Sequence, residues 1–231
     1  RPHGARLKIF GGRASGPGPL NDLFKHVKAI FHEAVDAQQR RLDSLQCHSI
    51  MTKIGDAVVS GGVRRSAMIS LSNPSDDRMK NAKQGQWWTI NPHFALANNS
   101  AAWTEKPDVE RFLEEWLSLI KSKAGERGIF NREAAQKHTL KNGRRDHTKI
   151  IGSNPCQEVL MRDRQKCNLS EVVVRAEDTI ETLKFKVKLA TILGTIQSLL
   201  TDFRYLSKAW KDNCDEERLL GVSLTGIYDH A

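Results

Sequence analysis

Apolar side chains recur at three- and four-residue steps in several stretches of the chain, the spacing that places them on one face of an α-helix. The first stretch, residues 20–35, predicts an amphipathic helix of about twenty residues. A second, residues 50–58, runs into Gly61 and Gly62, where a helix naturally stops because glycine accepts the backbone conformation of a helix end.

Two further helices are predicted in the second half of the chain. Pro107 opens the first of them, and residues 109–120 form its apolar stripe. For the second, Asp178 is the predicted capping residue, with Glu181 three positions later in a variant of the capping-box pattern. Its apolar positions reach residue 200, so it is a long helix.

Short apolar or alternating runs lie between the helices and predict strands. They cover residues 7–10, 66–72, 171–175 and 221–227. Strands that alternate with helices indicate an α/β fold with parallel pairing. No repeat or linker divides the sequence, so residues 1–231 are interpreted as one domain.

Charge and cysteine content narrow the function classes. Lys and Arg outnumber Asp and Glu by 36 to 27, giving a net charge of +9, which favours anionic partners such as nucleotides or nucleic acid. The four cysteines are scattered without a C-x-x-C pair, so no zinc or other metal site is predicted. No apolar run reaches membrane-spanning length, and we expect a cytoplasmic chain that does not associate with membranes.

The segment NPCQE places a thiol between an amide and a carboxylate. In an extended backbone, Asn154, Cys156 and Glu158 would point to the same side, about 7 Å apart. Pro155 has no backbone N–H for a neighbouring strand, which favours a loop or a sheet edge. The arrangement is typical of a reactive thiol beside a base; the alternative is a loop cysteine with incidental polar neighbours.

Three cationic side chains lie in the segment before Cys167. Nearby cations stabilise a thiolate, which would make Cys167 an activated redox cysteine; a buried structural cysteine is the equally weighted alternative. Cys47 lies in a helical pattern and is expected to be a core thiol. Cys214, in a charged stretch, is expected at the surface or at a helix end.

Glycine and arginine are paired in the segment SGGVRRSA, between a predicted helix and a predicted strand. Glycines allow close backbone approach, and arginines offer planar forks for phosphate. The segment therefore predicts a mobile loop that contacts a nucleotide, with a solvated turn as the alternative. The candidate residues are Gly61, Gly62, Arg64, Arg65 and Ser66.

Aromatic residues precede a run of carboxamides in GQWWTINPHFALANNS. Trp87, Trp88 and Phe94 next to Asn98 and Asn99 suggest either stacking on a nucleic-acid base or, as the favoured interpretation, a core with a polar end.

Taken in order, these segments resemble the large catalytic chain of ribonucleotide reductases over nearly the whole sequence. The segments are GGVRRSA, ANNS, GERGIFNREA, NPCQE, CNLSE and GVSLTGI. The sequences of the segments ISLSNPSDDRM, GQWW and NGRRD are most similar to those of the adenosylcobalamin-dependent class II enzymes that reduce ribonucleoside triphosphates. The resemblance implies a ten-stranded α/β barrel with a central finger loop, of which this chain is the middle and later part.

The resemblance also implies a role for each site residue. Cys156 would become a thiyl radical that abstracts the 3′ hydrogen of the ribose. Asn154 would hydrogen-bond the substrate, and Glu158 would be the general base on the 3′ hydroxyl. Cys167 would be one half of the redox thiol pair, whose other half lies outside this chain, so the isolated chain is expected to be inactive. The loop of residues 61–67 would link a deoxynucleotide effector to substrate choice.

The implied radical source is adenosylcobalamin, and the implied reductant is a thioredoxin-like protein or a dithiol. The sequence identifies no cofactor-binding residue, and it leaves diphosphate and triphosphate substrates open. One alternative is the iron-dependent class of the same family. Another is a basic nucleic-acid-binding module, whose affinity would fall steeply with salt; the scattered positive charge disfavours it.

Overall fold

The structure is a computed structural model that describes residues 1–8, 12–59 and 66–229. The chain groups into two compact units. The first comprises Arg1–Ala135 with Pro155–Gln157, and the second comprises Gln136–Asn154 with Glu158–Ala231. The interpretation of residues 1–231 as one partial barrel domain stays a prediction.

A three-stranded parallel sheet forms the centre of the first unit. Its strands are β1 (Met68–Ser72), β2 (Ala97–Trp103) and β3 (Gly128–Asn131), in the order β1-β2-β3. The central strand β2 is almost wholly buried, as expected for a parallel strand covered on both faces. The predicted parallel pairing is confirmed, and the strand predicted at 66–72 is β1.

The helices of the first unit follow the apolar periodicity. They are α1 (Gly18–Asp36), α2 (Ser44–Ala57), α5 (Val109–Ser122) and the short α3 (Asp77–Lys80) and α4 (Trp87–Ile90). Helix α2 begins before its apolar pattern does, because Asp43 and Gln46 form a capping box. The Asp43 carboxylate accepts from the Gln46 N–H at 2.8 Å, and the Gln46 side chain accepts from the Asp43 N–H at 2.9 Å.

Helix α5 packs through its polar face. The predicted apolar stripe is exposed, with Val109 at 74% and Ile120 at 58% of full exposure. The buried residues of the helix are Glu115, Ser118 and Ser122. The periodicity therefore located the helix correctly, but the face against the rest of the unit is the one that carries hydrogen-bonding groups.

The second unit contains a hairpin and a parallel strand pair. Its elements are β4 (Ile150–Ser153) antiparallel to β5 (Leu160–Arg162), β6 (Asn168–Val173) parallel to β7 (Leu220–Thr225), and the helices α7 (Ile180–Ser198) and α8 (Lys208–Glu217). Helix α6 (Arg132–Asn142) precedes the hairpin. The strands predicted at 171–175 and 221–227 are thereby located in β6 and β7.

The long helix α7 has a different cap from the predicted one. Thr179 is the N-cap, and its hydroxyl accepts from the Thr182 N–H at 3.3 Å. The carboxylate of Asp178 instead accepts from the Arg175 N–H at 2.8 Å and from the Lys186 ammonium at 2.5 Å. Asp178 therefore stabilises the turn before the helix.

The predicted strand at residues 7–10 is not found in its described part. Arg6 and Arg13 form one isolated bridge, and Leu7 and Lys8 have no strand partner, while residues 9 and 10 lie outside the described ranges. Across residues 1–8, 12–59 and 66–229, the fold is mixed α/β, its strands do not close into a barrel, and no helix is long and apolar enough to cross a membrane.

Candidate active site

The NPCQE segment is the loop between β4 and β5. Residues Pro155 and Cys156 form a turn, and Gln157 has a left-handed backbone conformation with φ of 67°. The expectation of an extended segment with a spacing of about 7 Å is therefore wrong, because the chain reverses direction here. The predicted loop is confirmed, and the thiol of Cys156 is exposed.

Asn154 and Glu158 meet at the base of this loop. The Asn154 side-chain N–H donates to the Glu158 carboxylate at 2.5 Å, and its Oδ1 accepts from the Val159 N–H at 3.0 Å. In an extended chain these residues would be about 13 Å apart. Asn154 is buried and Glu158 is exposed, so a fixed amide holds a carboxylate that solvent or a substrate reaches.

The tip of the loop is bound by β2 within the first unit. The Asn98 side-chain N–H donates to the Pro155 carbonyl at 2.5 Å, and the Gln157 side-chain N–H donates to the Ser100 hydroxyl at 2.8 Å. The sequence analysis missed these contacts. Their signal is the run of three polar residues at positions 98–100 in a strand otherwise rich in alanine, of which positions 98 and 100 lie on the same face.

Cys167 directly precedes β6 and is half-buried. Burial raises the pKa of its thiol, and the negative charge of Glu158 raises that pKa further. The expected thiolate stabilisation is therefore wrong. The cations that suggested it have other partners: Arg162 pairs with Glu216 and Glu217, Arg164 pairs with Asp163, and Lys166 donates to the carbonyls of Gln197 and Leu200.

The family model described as the ribonucleotide reductase barrel domain matches residues 45–230. The chain belongs to this family.

Curated relatives of this ribonucleotide reductase family member support the assignment. The chain is 32% identical over 236 residues to a protein of Lacticaseibacillus paracasei and 30% identical over 235 residues to one of Levilactobacillus brevis. Both are named adenosylcobalamin-dependent ribonucleoside-triphosphate reductase, and each alignment covers 99% of this chain and 30% of the relative. The chain thus spans about 30% of the length of the curated relatives it matches. No solved structure matches.

The other two cysteines of this reductase-family chain differ from expectation. Cys47, expected in the core, is exposed on α2. Cys214 is buried near the end of α8, where its sulfur accepts from the Lys166 N–H at 3.3 Å. The helix-end placement of Cys214 is right and the surface placement is wrong, because the chain before β6 covers the sulfur.

A histidine cluster was not found by sequence reasoning. The Ser49 hydroxyl lies 2.9 Å from Nε2 of both His26 and His93, and Nδ1 of His48 lies 2.7 Å from the Ser70 hydroxyl. Burial lowers the pKa of His48 and of His93 to about 4. No sequence spacing predicts this cluster, because its members come from α1, α2, β1 and a 3₁₀ helix at Pro92–Leu96.

The predicted base-stacking segment is divided between the core and the surface. Phe94 is buried and Trp88 is 58% exposed, while the amides of Asn98 and Asn99 bind protein carbonyls. The favoured interpretation, a core with a polar end, describes Phe94 and the two asparagines.

The glycine–arginine loop lies mostly outside the described residues. Gly61, Gly62, Arg64 and Arg65 fall in the undescribed range, and Ser66 is the first described residue after it. The role of this loop in effector binding stays a prediction.

Proposed function

We propose that this chain is part of the catalytic chain of an adenosylcobalamin-dependent ribonucleoside-triphosphate reductase. It would reduce ribonucleotides to 2′-deoxyribonucleotides for DNA synthesis by a thiyl-radical mechanism. The observation that carries the proposal is the exposed thiol of Cys156 on a loop whose base holds the hydrogen-bonded pair Asn154 and Glu158. Family membership and the names of the relatives support it.

The architecture we propose is a portion of a ten-stranded α/β barrel with the NPCQE loop as its finger. The parallel strands β1, β2 and β3 and the parallel pair β6 and β7 support it, because such a barrel is assembled from strands of this kind. The relatives are about three times longer than the chain, which leaves the other strands to the remainder of such a protein.

In the first step of the reaction, Cys156 would remove a hydrogen atom from the ribose and Glu158 would remove a proton. As a thiyl radical, the sulfur of Cys156 takes the 3′ hydrogen atom, so that an S–H bond forms and the ribose radical remains at C3′. The Glu158 carboxylate accepts the proton of the 3′ hydroxyl. Asn154 uses one side-chain N–H to hold this carboxylate, which leaves its second N–H for the substrate.

Cys167 would supply the reduction. Burial and Glu158 raise the pKa of its thiol, so the group stays protonated near neutral pH. A protonated thiol can give its proton to the 2′ hydroxyl, which then leaves as water. The second thiol hydrogen and two electrons come from Cys167 and its partner cysteine, which lies outside this chain; a C–H bond replaces the broken C–O bond at C2′, and the pair becomes a disulfide. Glu158 then returns the proton to the 3′ oxygen, and Cys156 returns its hydrogen atom to C3′, which restores the thiyl radical. A thioredoxin-like protein or a dithiol then reduces the disulfide.

The described contacts of the loop tip identify no residue that would hold a corrinoid. The side chains that contact the tip within the first unit are the neutral Asn98 and Ser100. Cavities of about 520, 490 and 480 Å³ are lined by other segments and do not include Cys156. When bound, adenosylcobalamin would supply the radical. We assign no residue of this chain to the cofactor and derive no step through it.

A chimaera tests the proposal. The corresponding segment of the L. paracasei relative is replaced by this chain, and deoxyribonucleotide formation is measured with ribonucleotide, a dithiol and adenosylcobalamin. We expect turnover that requires the cofactor. Cys156→Ser should abolish it, whereas Cys47→Ser, at an exposed position remote in sequence, should retain it.

Three results would contradict the proposal. A folded chimaera that binds nucleotide without forming product would reject the reductase function. Residual turnover in Cys156→Ser would remove that residue from the radical role. In the full-length parent protein, turnover without added adenosylcobalamin would favour the iron-dependent class.

A further inference from the structure

We infer that Asn98 and Ser100 on β2 are positioning residues that fix the Cys156 thiol from both sides. The inference rests on the proposed function, because it gives these two residues a task in the radical step. Neither residue contacts the sulfur in the described structure. They act through the residues immediately before and after it, Pro155 and Gln157.

Asn98 restrains the peptide group that joins Pro155 to Cys156. The Pro155 carbonyl, which accepts from the Asn98 amide at 2.5 Å, belongs to the peptide bond whose nitrogen is that of Cys156. A peptide group is planar, so a restraint on its oxygen also restrains the direction in which the next Cα is placed.

Ser100 restrains Gln157, the residue that follows Cys156 in the chain. Gln157 has a left-handed backbone conformation, which a residue other than glycine adopts only where its surroundings hold it. The bond from its side-chain N–H to the Ser100 hydroxyl, at 2.8 Å, is such a restraint. Together the two contacts bracket the thiol at adjacent positions of the loop.

Strand β2 is itself firmly held. Asn99 points to the opposite face from Asn98 and Ser100, and its amide donates to the Met79 carbonyl at 2.7 Å. Its backbone N–H donates at 3.0 Å to Glu126, which pairs with the nearly buried Lys83 at 2.8 Å. A rigid element positions a reactive group better than a loop does. The NPCQE loop is therefore ordered by its contacts with β2.

Gly128 on β3 leaves room for the Ser100 hydroxyl. A Cβ at position 128 would lie 2.8 Å from the Ser100 oxygen and 3.8 Å from the Gln157 side-chain nitrogen. Any larger residue would therefore displace the hydroxyl from its bond. Two neighbouring strands are thus shaped around the contact that restrains Gln157.

Order at Cys156 matters because hydrogen-atom abstraction requires the sulfur to face one C–H bond of the ribose. A misplacement of about 1 Å costs on the order of 10²-fold in rate. We therefore expect Asn98→Ala and Ser100→Ala to lower kcat of the active chimaera on the order of 10²-fold, with little change in KM. Ser100→Thr keeps the hydroxyl and should restore much of the activity.

The decisive measurement is made on the 231-residue chain and does not depend on turnover. Backbone ¹⁵N relaxation gives the order parameter of the Cys156 amide, which we expect near 0.85 for the unsubstituted chain and below about 0.6 in Asn98→Ala and Ser100→Ala. Gln157→Ala removes the same bond from the exposed loop without altering β2, and should have the effect of Ser100→Ala. Gln84→Ala is the matched control: it removes a bond of the same kind, from the Gln84 side-chain N–H to the Ser118 hydroxyl at 3.0 Å, away from β2, and should leave the Cys156 amide ordered.

The outcomes separate the two proposals. Unchanged order in Asn98→Ala and in both Ser100→Ala and Gln157→Ala overturns the inference, whatever the chimaera does. An unchanged kcat in an active chimaera also overturns it. An unsubstituted chimaera without turnover rejects the proposed function, while loss of order in the loop variants would still support the structural restraint.

Discussion

The carboxylate of Glu115 and the guanidinium of Arg127 form a two-pronged ion pair in the interior of the first unit. The Nε–Oε1 distance is 2.7 Å and the Nη2–Oε2 distance is 2.8 Å, with side-chain exposures of 3% for Glu115 and 0% for Arg127. The same guanidinium donates to the carbonyls of Asn73 and Pro74 at 3.1 and 2.8 Å. One arginine, directly before β3, thereby connects α5 with the loop after β1.

Removing Arg127 should strongly destabilise the chain. Arg127→Ala leaves the Glu115 charge and two loop carbonyls buried without this partner, so we expect the free energy of unfolding to fall by about 3–5 kcal/mol. Urea unfolding followed by tryptophan fluorescence measures this, since Trp103 is buried on β2. Arg111→Ala breaks an exposed pair with Asp108 and should cost less than about 1 kcal/mol. Equal losses for the two variants would contradict the expectation.

The stability of the chain should rise between pH 4 and pH 6.5. Burial lowers the pKa of His48 and of His93 to about 4, whereas both titrate near 6.5 when unfolded. The unfolded chain therefore binds protons first as the pH falls, and stability is lost across this window. Each histidine contributes roughly 3 kcal/mol, at 1.36 kcal/mol per pKa unit.

Unfolding curves at several pH values test this dependence. His48→Gln should reduce the slope of stability against pH. His138→Gln, at an exposed position on α6, should leave it unchanged. The same slope in both variants would exclude the buried histidine as its source.

Glu158 should control the titration of Cys167. Glu158→Gln removes a negative charge that raises the pKa of the thiol, so that pKa should fall. Burial remains, and the pKa should stay above its ordinary value. The pH dependence of iodoacetamide alkylation, quantified for Cys167 by mass spectrometry, gives the pKa directly. Glu177→Gln is the exposed control, and an equal shift there would point to a general charge effect.

The four cysteines should react in an order set by exposure. Cys47 and Cys156 are exposed, Cys167 is half-buried, and Cys214 is buried at 2% exposure. Limited alkylation at pH 8 should modify the first two before Cys167, and Cys214 only when the chain unfolds. Early modification of Cys214 in folded protein would contradict the packing of the segment before β6 against it.

Periodicity located the long helices because α1, α2, α5 and α7 each repeat apolar residues at helical spacing. It did not identify the packed face of α5, because the buried Glu115 is compensated by Arg127, a residue outside the helix. The cap of α7 was displaced by one residue for a similar reason, since the Asp178 carboxylate is occupied by Lys186.

For the candidate site, the sequence predicted the types of reactive group but not their arrangement in space. The residue types of NPCQE indicated a thiol beside an amide and a carboxylate, and the segment lies within residues 45–230, which the ribonucleotide reductase family model matches. The shape of the loop was not predictable from local spacing. Gln157 contacts Ser100, 57 positions earlier in the chain, and this long-range bond favours a turn over an extended segment.

The closeness of Gly128 to the Ser100 hydroxyl implies that these two positions are not free to mutate independently. Gly128→Ala by itself forces a steric collision, whereas the same replacement should be far milder once Ser100→Ala has removed the oxygen. Because of this epistasis, the residue at position 100 determines which substitutions position 128 tolerates. A deep mutational scan of double variants should therefore show non-additive effects for this pair.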